Sequence, residues 1–365
     1  MSVHLDNISF SHSGRHILKD LTLALKSGSL NILLGMSGTT SGKTSLLRVI
    51  AGLELPQRGS IRFDNVEITR LSVQMRNVAF VHQQFINYPH LTVRENISSP
   101  LNVAKLTNSA VNAKVNAIAK QLNIENCLDS FPSELSGGQL QRTALARALV
   151  KDARVILLDE PLVNLDYKLR EALRDEIREL LRTRNTIAVY ATSDPNEALA
   201  LGGNVFLLDE GQLIQQGEIT QVYRQPRNIV AARMLNEPRI NLFEGIINEN
   251  EVAFAPQLHF PKSKQFKALR HGKYTFGIKP SHLSLLPTND DDFEFSMKVE
   301  LAEISGSETF LHIRNQHLEF TIHLAGVHKY KIDSPIKIYL PLHKMFVFDE
   351  LGETILFPQV VYSKT

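Results

Sequence analysis

At 365 residues the chain is about twice the size of an ordinary domain, so two domains are expected, each burying its own core. Lys and Arg (40) nearly cancel Asp and Glu (38), and the resulting +2 argues against a sequence-independent nucleic-acid surface. A single cysteine, Cys127, rules out an internal disulfide and fits a reducing compartment; the opening MSVHLDNISF lacks the basic start and apolar run of a signal peptide, and no apolar stretch nears the ~20 residues of a membrane span, so any membrane role is expected to pass through a partner.

In chain order, VHLDNISF and LTLAL alternate as half-buried strands do, and LNILLG is a continuous apolar run suited to a strand covered on both faces. TSLLRVIAGL has helical spacing, and after Gly59 SIRFDNVEIT and NVAFVHQ read as strands. From about Val93 to Val150 the pattern is mostly helical, notably in SAVNAKVNAIAKQLNI and GGQLQRTALARALV. VILLDEP is a buried strand stopped by Pro161. YKLREALRDEIRELLRTRN places Leu169, Leu173, Ile177, Leu180 and Leu181 on one helical face. TIAVYAT, NVFLLDEG and QLIQQG follow as strands. Beyond about Asn236 the short alternating runs GKYTFGIKP, ETFLHIR, LEFTIHL and PIKIYLPL, separated by turn residues, predict a small all-β domain. The boundary is expected near NEPRIN, giving domains 1–235 and 236–365 with a helical insertion at about 90–150.

The stretch LLGMSGTTSGKTSLLRVIAG runs from strand through a glycine-studded turn into helix. Such a turn binds phosphate when successive backbone N–H groups at a helix N-terminus converge on the anion and a lysine adds charge. Lys43 would reach the outer phosphates of a nucleotide and Thr44 would offer its hydroxyl to Mg²⁺. The cradle would come from Gly35, Ser37, Gly38, Thr39, Thr40, Ser41, Gly42 and Ser45 around them. Taken alone, Gly-Lys-Thr before a helix is also an ordinary helix start. VILLDE then ends in Asp159 and Glu160, as required to hold two carboxylates at the carboxyl end of a central strand beside that loop, Asp159 for Mg²⁺ and Glu160 for the attacking water.

The third element, LSGGQLQR, resembles the signature sequence of ATP-binding cassette proteins, and with it the chain is identified as similar to that family. The resemblance implies an α/β nucleotide-binding domain with a RecA-like core, an antiparallel β subdomain and a helical subdomain, followed by a small all-β OB- or TOBE-like domain. It implies that Ser136, Gly137, Gly138 and Gln139 face the γ-phosphate bound by an opposite subunit, that Gln83 in FVHQQFINYPHLTVREN touches Mg²⁺ and the γ-phosphate, and that Asp166 in LVNLD is the acidic residue of the loop that carries signals between two sites. It also implies an adenine-stacking residue near the N-terminus, matched by His12 with Phe10 as the alternative. FGIKPSHL and FVFDELGETI resemble the C-terminal β domain of maltose-type sugar-importer ATPases. QQFINYP and LDEPLVNLDYKLREALRDEI are similar to subunits for glycerol or glycerol phosphate uptake.

Two departures stand out. Counting back from Gly42, the phosphate loop either carries Ser37 in place of its first glycine or is two residues longer between Gly35 and Gly42. After TIAVY the family carries Thr-His-Asp, whereas this chain has Thr192-Ser193-Asp194, and a hydroxyl is shorter than imidazole and carries no positive charge. His312, His317, His323 and His328 match no recognised metal-ligand spacing and are read as scattered strand positions. The expected function is the ATP-hydrolysing subunit of an importer for a carbohydrate, glycerol or glycerol-phosphate solute, using ATP and Mg²⁺. It would lie peripherally on the cytoplasmic face of the membrane, paired with a second cassette subunit and two permease subunits and served indirectly by an extracytoplasmic solute-binding protein. The alternative is a weakly hydrolysing regulatory subunit whose partner cassette does the chemistry.

Overall fold

A computed structural model describes residues 1–36, 41–101, 106–163, 165–182, 184, 186–255, 258–289 and 292–359. The chain divides into two units, Met1–Thr220 and Gln221–Thr365.

The first unit runs β1 (Ser2–His12), β2 (Arg15–Lys26), β3 (Leu30–Leu34), α1 (Lys43–Ala51), β4 (Arg58–Phe63), β5 (Val66–Glu67) and β6 (Val78–Val81). It continues with α2 (Val93–Ser98), α3 (Asn108–Gln121), α4 (Gly137–Leu149), β7 (Val155–Asp159), α5 (Tyr167–Arg182), β8 (Ile187–Thr192), α6 (Pro195–Leu201), β9 (Asn204–Asp209) and β10 (Gln212–Glu218). β2, β1, β4 and β5 form an antiparallel sheet in that order, whose alternating residues Val3, Leu5, Ile8 and Phe10 are buried. The second sheet has the order β10-β9-β3-β8-β7-β6, parallel except at the β10 edge. β3, β7 and β8 are buried almost throughout, because a parallel sheet covered on both faces offers no solvated side for polar residues. The middle of this sheet is β3 and β8. β7, expected as a central strand, lies second from the β6 edge and is flanked on both sides.

α1 leaves β3 and packs Leu46, Leu47, Val49 and Ile50 into the core shared by both sheets. Its far end is closed by Arg76, a fully buried guanidinium with no carboxylate among its bonds. Nη1 donates to Val49 O (2.8 Å) and Ile50 O (2.9 Å), Nη2 to Thr69 O (2.6 Å) and Nε to Leu71 O (3.0 Å). The orphan carbonyls at a helix C-terminus carry partial negative charge, so a buried cation is tolerated there.

The second unit takes up α7 (Ile219–Arg224) from Gln221 onward and continues with α8 (Ile229–Met234), β11 (Asn241–Ile247), β12 (Glu251–Ala255), β13 (Leu258–Pro261), β14 (Gly272–Ile278) and β15 (Phe293–Ser305). β16 (Glu308–Arg314), β17 (Glu319–Ala325), β18 (Pro335–Leu340), β19 (Phe346–Phe348) and β20 (Thr354–Leu356) complete it. Two antiparallel sheets, β13-β12-β11-β14-β19-β20 and β17-β16-β15-β18, enclose a phenylalanine-rich core in which Phe243 touches Phe254, Phe276 and Phe320. The division falls at Thr220/Gln221 rather than after residue 235, because the intervening helices belong to this unit. Ile229 N–H donates to Gly352 O, Thr354 N–H donates to Arg227 O (2.9 Å each), and Ala232 packs with Ile240, Phe346 and Phe348. His312 and His323 sit on the outer face of their sheet beside Glu303 (3.8 Å) and Glu308 (3.1 Å). Among the described residues no group of three or more His, Cys, Asp and Glu is arranged to hold a metal.

Candidate functional site

The site is built where β3, β7 and β8 end and α1 begins. Of the phosphate loop, Gly35, Ser41, Gly42, Lys43, Thr44 and Ser45 are described; Ser37, Gly38, Thr39 and Thr40 lie outside the described residues, and with them the choice between a substituted and a lengthened loop. Gly42 takes φ 87° at the N-cap of α1, and a Cβ there would fall 2.7 Å from Leu18 Cδ2, so this position demands glycine. No side chain caps α1, so its first amides are left to bind an anion.

Four of the candidate side chains converge at this helix end. Lys43 is buried; its Nζ donates to Gly35 O at 2.6 Å and lies 3.4 Å from both Ser41 Oγ and Glu160 Oε1. Burial lowers the Lys43 pKa, and the Glu160 charge opposes that shift. Thr44 Oγ1 donates to Asp159 Oδ1 at 3.0 Å. Burial raises the Asp159 pKa, against the Thr44 hydrogen bond. Asp159 Oδ2 is buried with no hydrogen-bond partner among the described residues. An orphaned carboxylate oxygen beside a threonine hydroxyl is the donor set of a hard cation that prefers oxygen, so these residues fit Mg²⁺. Glu160 stands at φ 44°, its N–H bonded to Ala191 O of β8 (3.0 Å).

Ser193 follows β8 and, with Glu160, Asp194 and Arg170, lines a cavity of about 90 Å³. Gln83 is half-buried just beyond β6. The segment after it is pinned to α4 by Asn87 Nδ2 donating to Leu140 O (2.9 Å) and by Arg147 lying over the Tyr88 ring (4.9 Å), while Ile86 and Tyr88 are exposed. His12 is exposed at the end of β1. Phe10 is buried in the core, which withdraws it as an adenine-stacking alternative.

The signature residues open α4. Ser136 is the N-cap, its N–H bonded to Gln139 Oε1 (2.9 Å) and its Oγ accepting from Gln139 N–H (3.4 Å). Ser136 and Gly137 are exposed, and a Cβ on Gly137 would meet nothing within 4 Å. On Gly138 a Cβ would fall 2.9 Å from Leu169 Cδ2 of α5. Ser136 and Gly137 thus face outward at the start of α4. Asp166 is exposed and caps α5, its Oδ1 accepting from Leu169 N–H (3.0 Å).

Sequence reading missed two supports. Glu197 of α6 is buried beneath the Ser193 turn, where Tyr190 Oη donates to Oε1 (2.6 Å) and Thr192 Oγ1 donates to Oε2. Burial raises the pKa of both Glu197 and Tyr190. Asp194 N–H donates to Thr192 Oγ1 (3.1 Å), so the buried carboxylate braces the turn that presents Ser193. The other is Gln141, fully buried on α4, whose amide donates to Pro161 O immediately after Glu160. The pattern Asp194-Pro195 at a helix start was a visible signal for the first. Nothing local marked Gln141.

Residues 18–163 match the family profile described as ABC transporter. The uncharacterized ABC transporter ATP-binding protein YurJ of Bacillus subtilis is 32% identical over 98% of this chain and 100% of its own length. The sn-glycerol-3-phosphate import ATP-binding protein UgpC of Paraburkholderia xenovorans is 32% identical over 94% of this chain and 96% of its own. Among solved structures, a dimeric form of the bacterial ABC transporter cassette MJ0796 is 28% identical with TM-score 0.54, covering 60% of this chain and 98% of that one. Taken with the fold and the outward-facing Ser136–Gly137 pair, these matches establish that the chain belongs to the ABC transporter ATP-binding proteins.

Proposed function

We propose that this chain powers uptake of a carbohydrate, glycerol or glycerol-phosphate solute by binding and hydrolysing ATP beneath a pair of membrane permeases. The observation that carries the reading is the convergence of Lys43, Thr44, Asp159 and Glu160 at the uncapped N-terminus of α1. The relatives named for glycerol-3-phosphate import support the solute class. Among the described residues no helix is long and apolar enough to cross a membrane. The exposed Ile86 and Tyr88 after Gln83 offer a surface for permease subunits at the cytoplasmic face.

Two such chains would close face to face, with Ser136, Gly137, Gly138 and Gln139 of one meeting the nucleotide held by Lys43 of the other. Ser41, Gly42 and Ser45, with the loop residues before them, would present amides to the phosphates, and His12 would lie against adenine. The phosphate oxygens would exchange for Glu160 as partners of the Lys43 ammonium, freeing that carboxylate to orient and deprotonate the attacking water. Thr44, Asp159 and Gln83 would hold Mg²⁺, which when bound neutralises charge on the phosphate oxygens. Ser193 would donate a hydrogen bond toward the γ-phosphate from the braced turn. ATP drives closure to the extent that it binds the closed pair more tightly than the open one. Reconstitution with a pair of importer permease subunits tests this: solute-stimulated phosphate release supports the reading, and folded protein with no affinity for Mg-ATP refutes it.

A second reading, a weakly hydrolysing regulatory subunit paired with a competent cassette, is favoured by Ser193. It predicts that Glu160→Gln leaves the turnover of the assembled transporter unchanged, whereas the first reading predicts its collapse.

A further inference from the structure

Beside the nucleotide site stands a histidine that the mechanism above does not use. β6 and β7 run parallel in the register Val78↔Val155 to Val81↔Leu158, and His82 and Asp159 are the residues that follow that last paired rung on the two neighbouring strands. His82 Nδ1 is buried and has no hydrogen-bond partner among the described residues. The same holds for Asp159 Oδ2. His82 is also among the charges that act on the Asp159 carboxyl, after burial, the Thr44 hydrogen bond and Glu160. The Phe80 ring meets the imidazole edge to face at 5.8 Å and fixes its plane. Two buried polar orphans at neighbouring positions call for a shared partner, and a water needs two or more such groups to be held.

We propose that His82 is a positioning residue of the nucleotide site: its Nδ1 accepts a hydrogen bond from a water on the divalent cation held by Thr44 and Asp159. The inference rests on the reading of Thr44 and Asp159 as cation ligands. A cation-bound water is a strong donor, and a partner behind it orients the whole ligand set. In this chain the imidazole stands on the cation side of the site, while the turn after β8 carries Ser193.

The test is calorimetry of Mg²⁺ and Mn²⁺ binding to the full chain with a non-hydrolysable ATP analogue, on wild type, His82→Phe and His82→Asn. Phe keeps the ring and loses the acceptor; Asn keeps an acceptor near the Nδ1 position. His82→Phe should weaken cation affinity about tenfold, with metal-free analogue affinity and melting temperature unchanged, and His82→Asn should restore it to within about threefold. Equal cation affinity in wild type and His82→Phe overturns the inference, as does an Asn variant as weak as Phe, since an acceptor at the Nδ1 position would then not be what the cation site uses. Absence of cation-dependent analogue binding in the wild type would instead overturn the reading of the site itself.

Discussion

Lys43 Nζ lies 3.4 Å from Glu160 Oε1, a pairing between the cation expected to grip phosphate and the carboxylate expected to activate water. The pair ties two roles to one contact: whatever draws Lys43 toward phosphate releases Glu160. Replacing Glu160 with Gln keeps the shape and removes the charge. Turnover should fall about 10²- to 10⁴-fold while ATP binding persists, so that light scattering detects an ATP-dependent dimer and phosphate release is lost.

Ser193 occupies a braced turn beside Glu160, held by Thr192 and Glu197. Ser193→His should raise turnover of the assembled transporter by roughly 10²- to 10³-fold if one transition-state hydrogen bond is what the site lacks. No gain in a steady-state phosphate assay would mean that Ser193 does not limit the rate.

Arg76 donates to four backbone carbonyls, of which Val49 O also accepts from Gly52 N–H (3.2 Å). Arg76→Met should cost about 3 kcal/mol, because the carbonyls of Ile50, Thr69 and Leu71 lose their charged donor in a buried setting. For a unit of this size that is a fall of roughly 6 to 12 °C in melting temperature, measurable by calorimetry. Lys, with three donors on a point charge, should not rescue it.

Lys279 in the second unit is buried with Nζ 3.1 Å from the Tyr223 ring centre, and burial lowers its pKa from 10.5 to about 7. Between those values the unfolded chain keeps a proton that the folded chain has released, so stability should rise with pH through the window and be lowest at and below pH 7. Nearby His282 is lowered to about 4, by burial first and then by the Lys279 charge, which adds a loss of stability as pH falls from about 6.5 to 4. The attraction of the ammonium to the Tyr223 face, ~1 kcal/mol, reduces the Lys279 effect without reversing it. Calorimetric melts of Lys279→Met from pH 7 to 10 should be flatter than wild type and higher at pH 7.

Residues with a periodic or contiguous signature were legible in the sequence. Val155 to Asp159 is apolar to its last position and is a strand covered on both sides; Leu173, Ile177 and Leu181 recur at helical spacing and are buried on α5. Lys43, Thr44, Asp159 and Glu160 were legible because each sits at a fixed offset from such a run. Arg76, Gln141 and Glu197 were not, since each is an isolated polar residue whose partners are carbonyls or hydroxyls brought close by the fold. Strands β11, β12 and β15 escaped in the same way: their order in the two sheets depends on pairing partners far along the chain. Phe10, the alternative to His12 for stacking on a base, is buried because strand alternation points it inward.

The amide of Gln141 fastens the helix that begins at Ser136 to the carbonyl just past Glu160. A molecule wired this way has a short lever between its outer rim and the carboxylate proposed to activate water. Tugging on the rim from next door would be felt at the chemistry inside, so two pockets on opposite sides of a pair would be kept in step by a single side-chain strut.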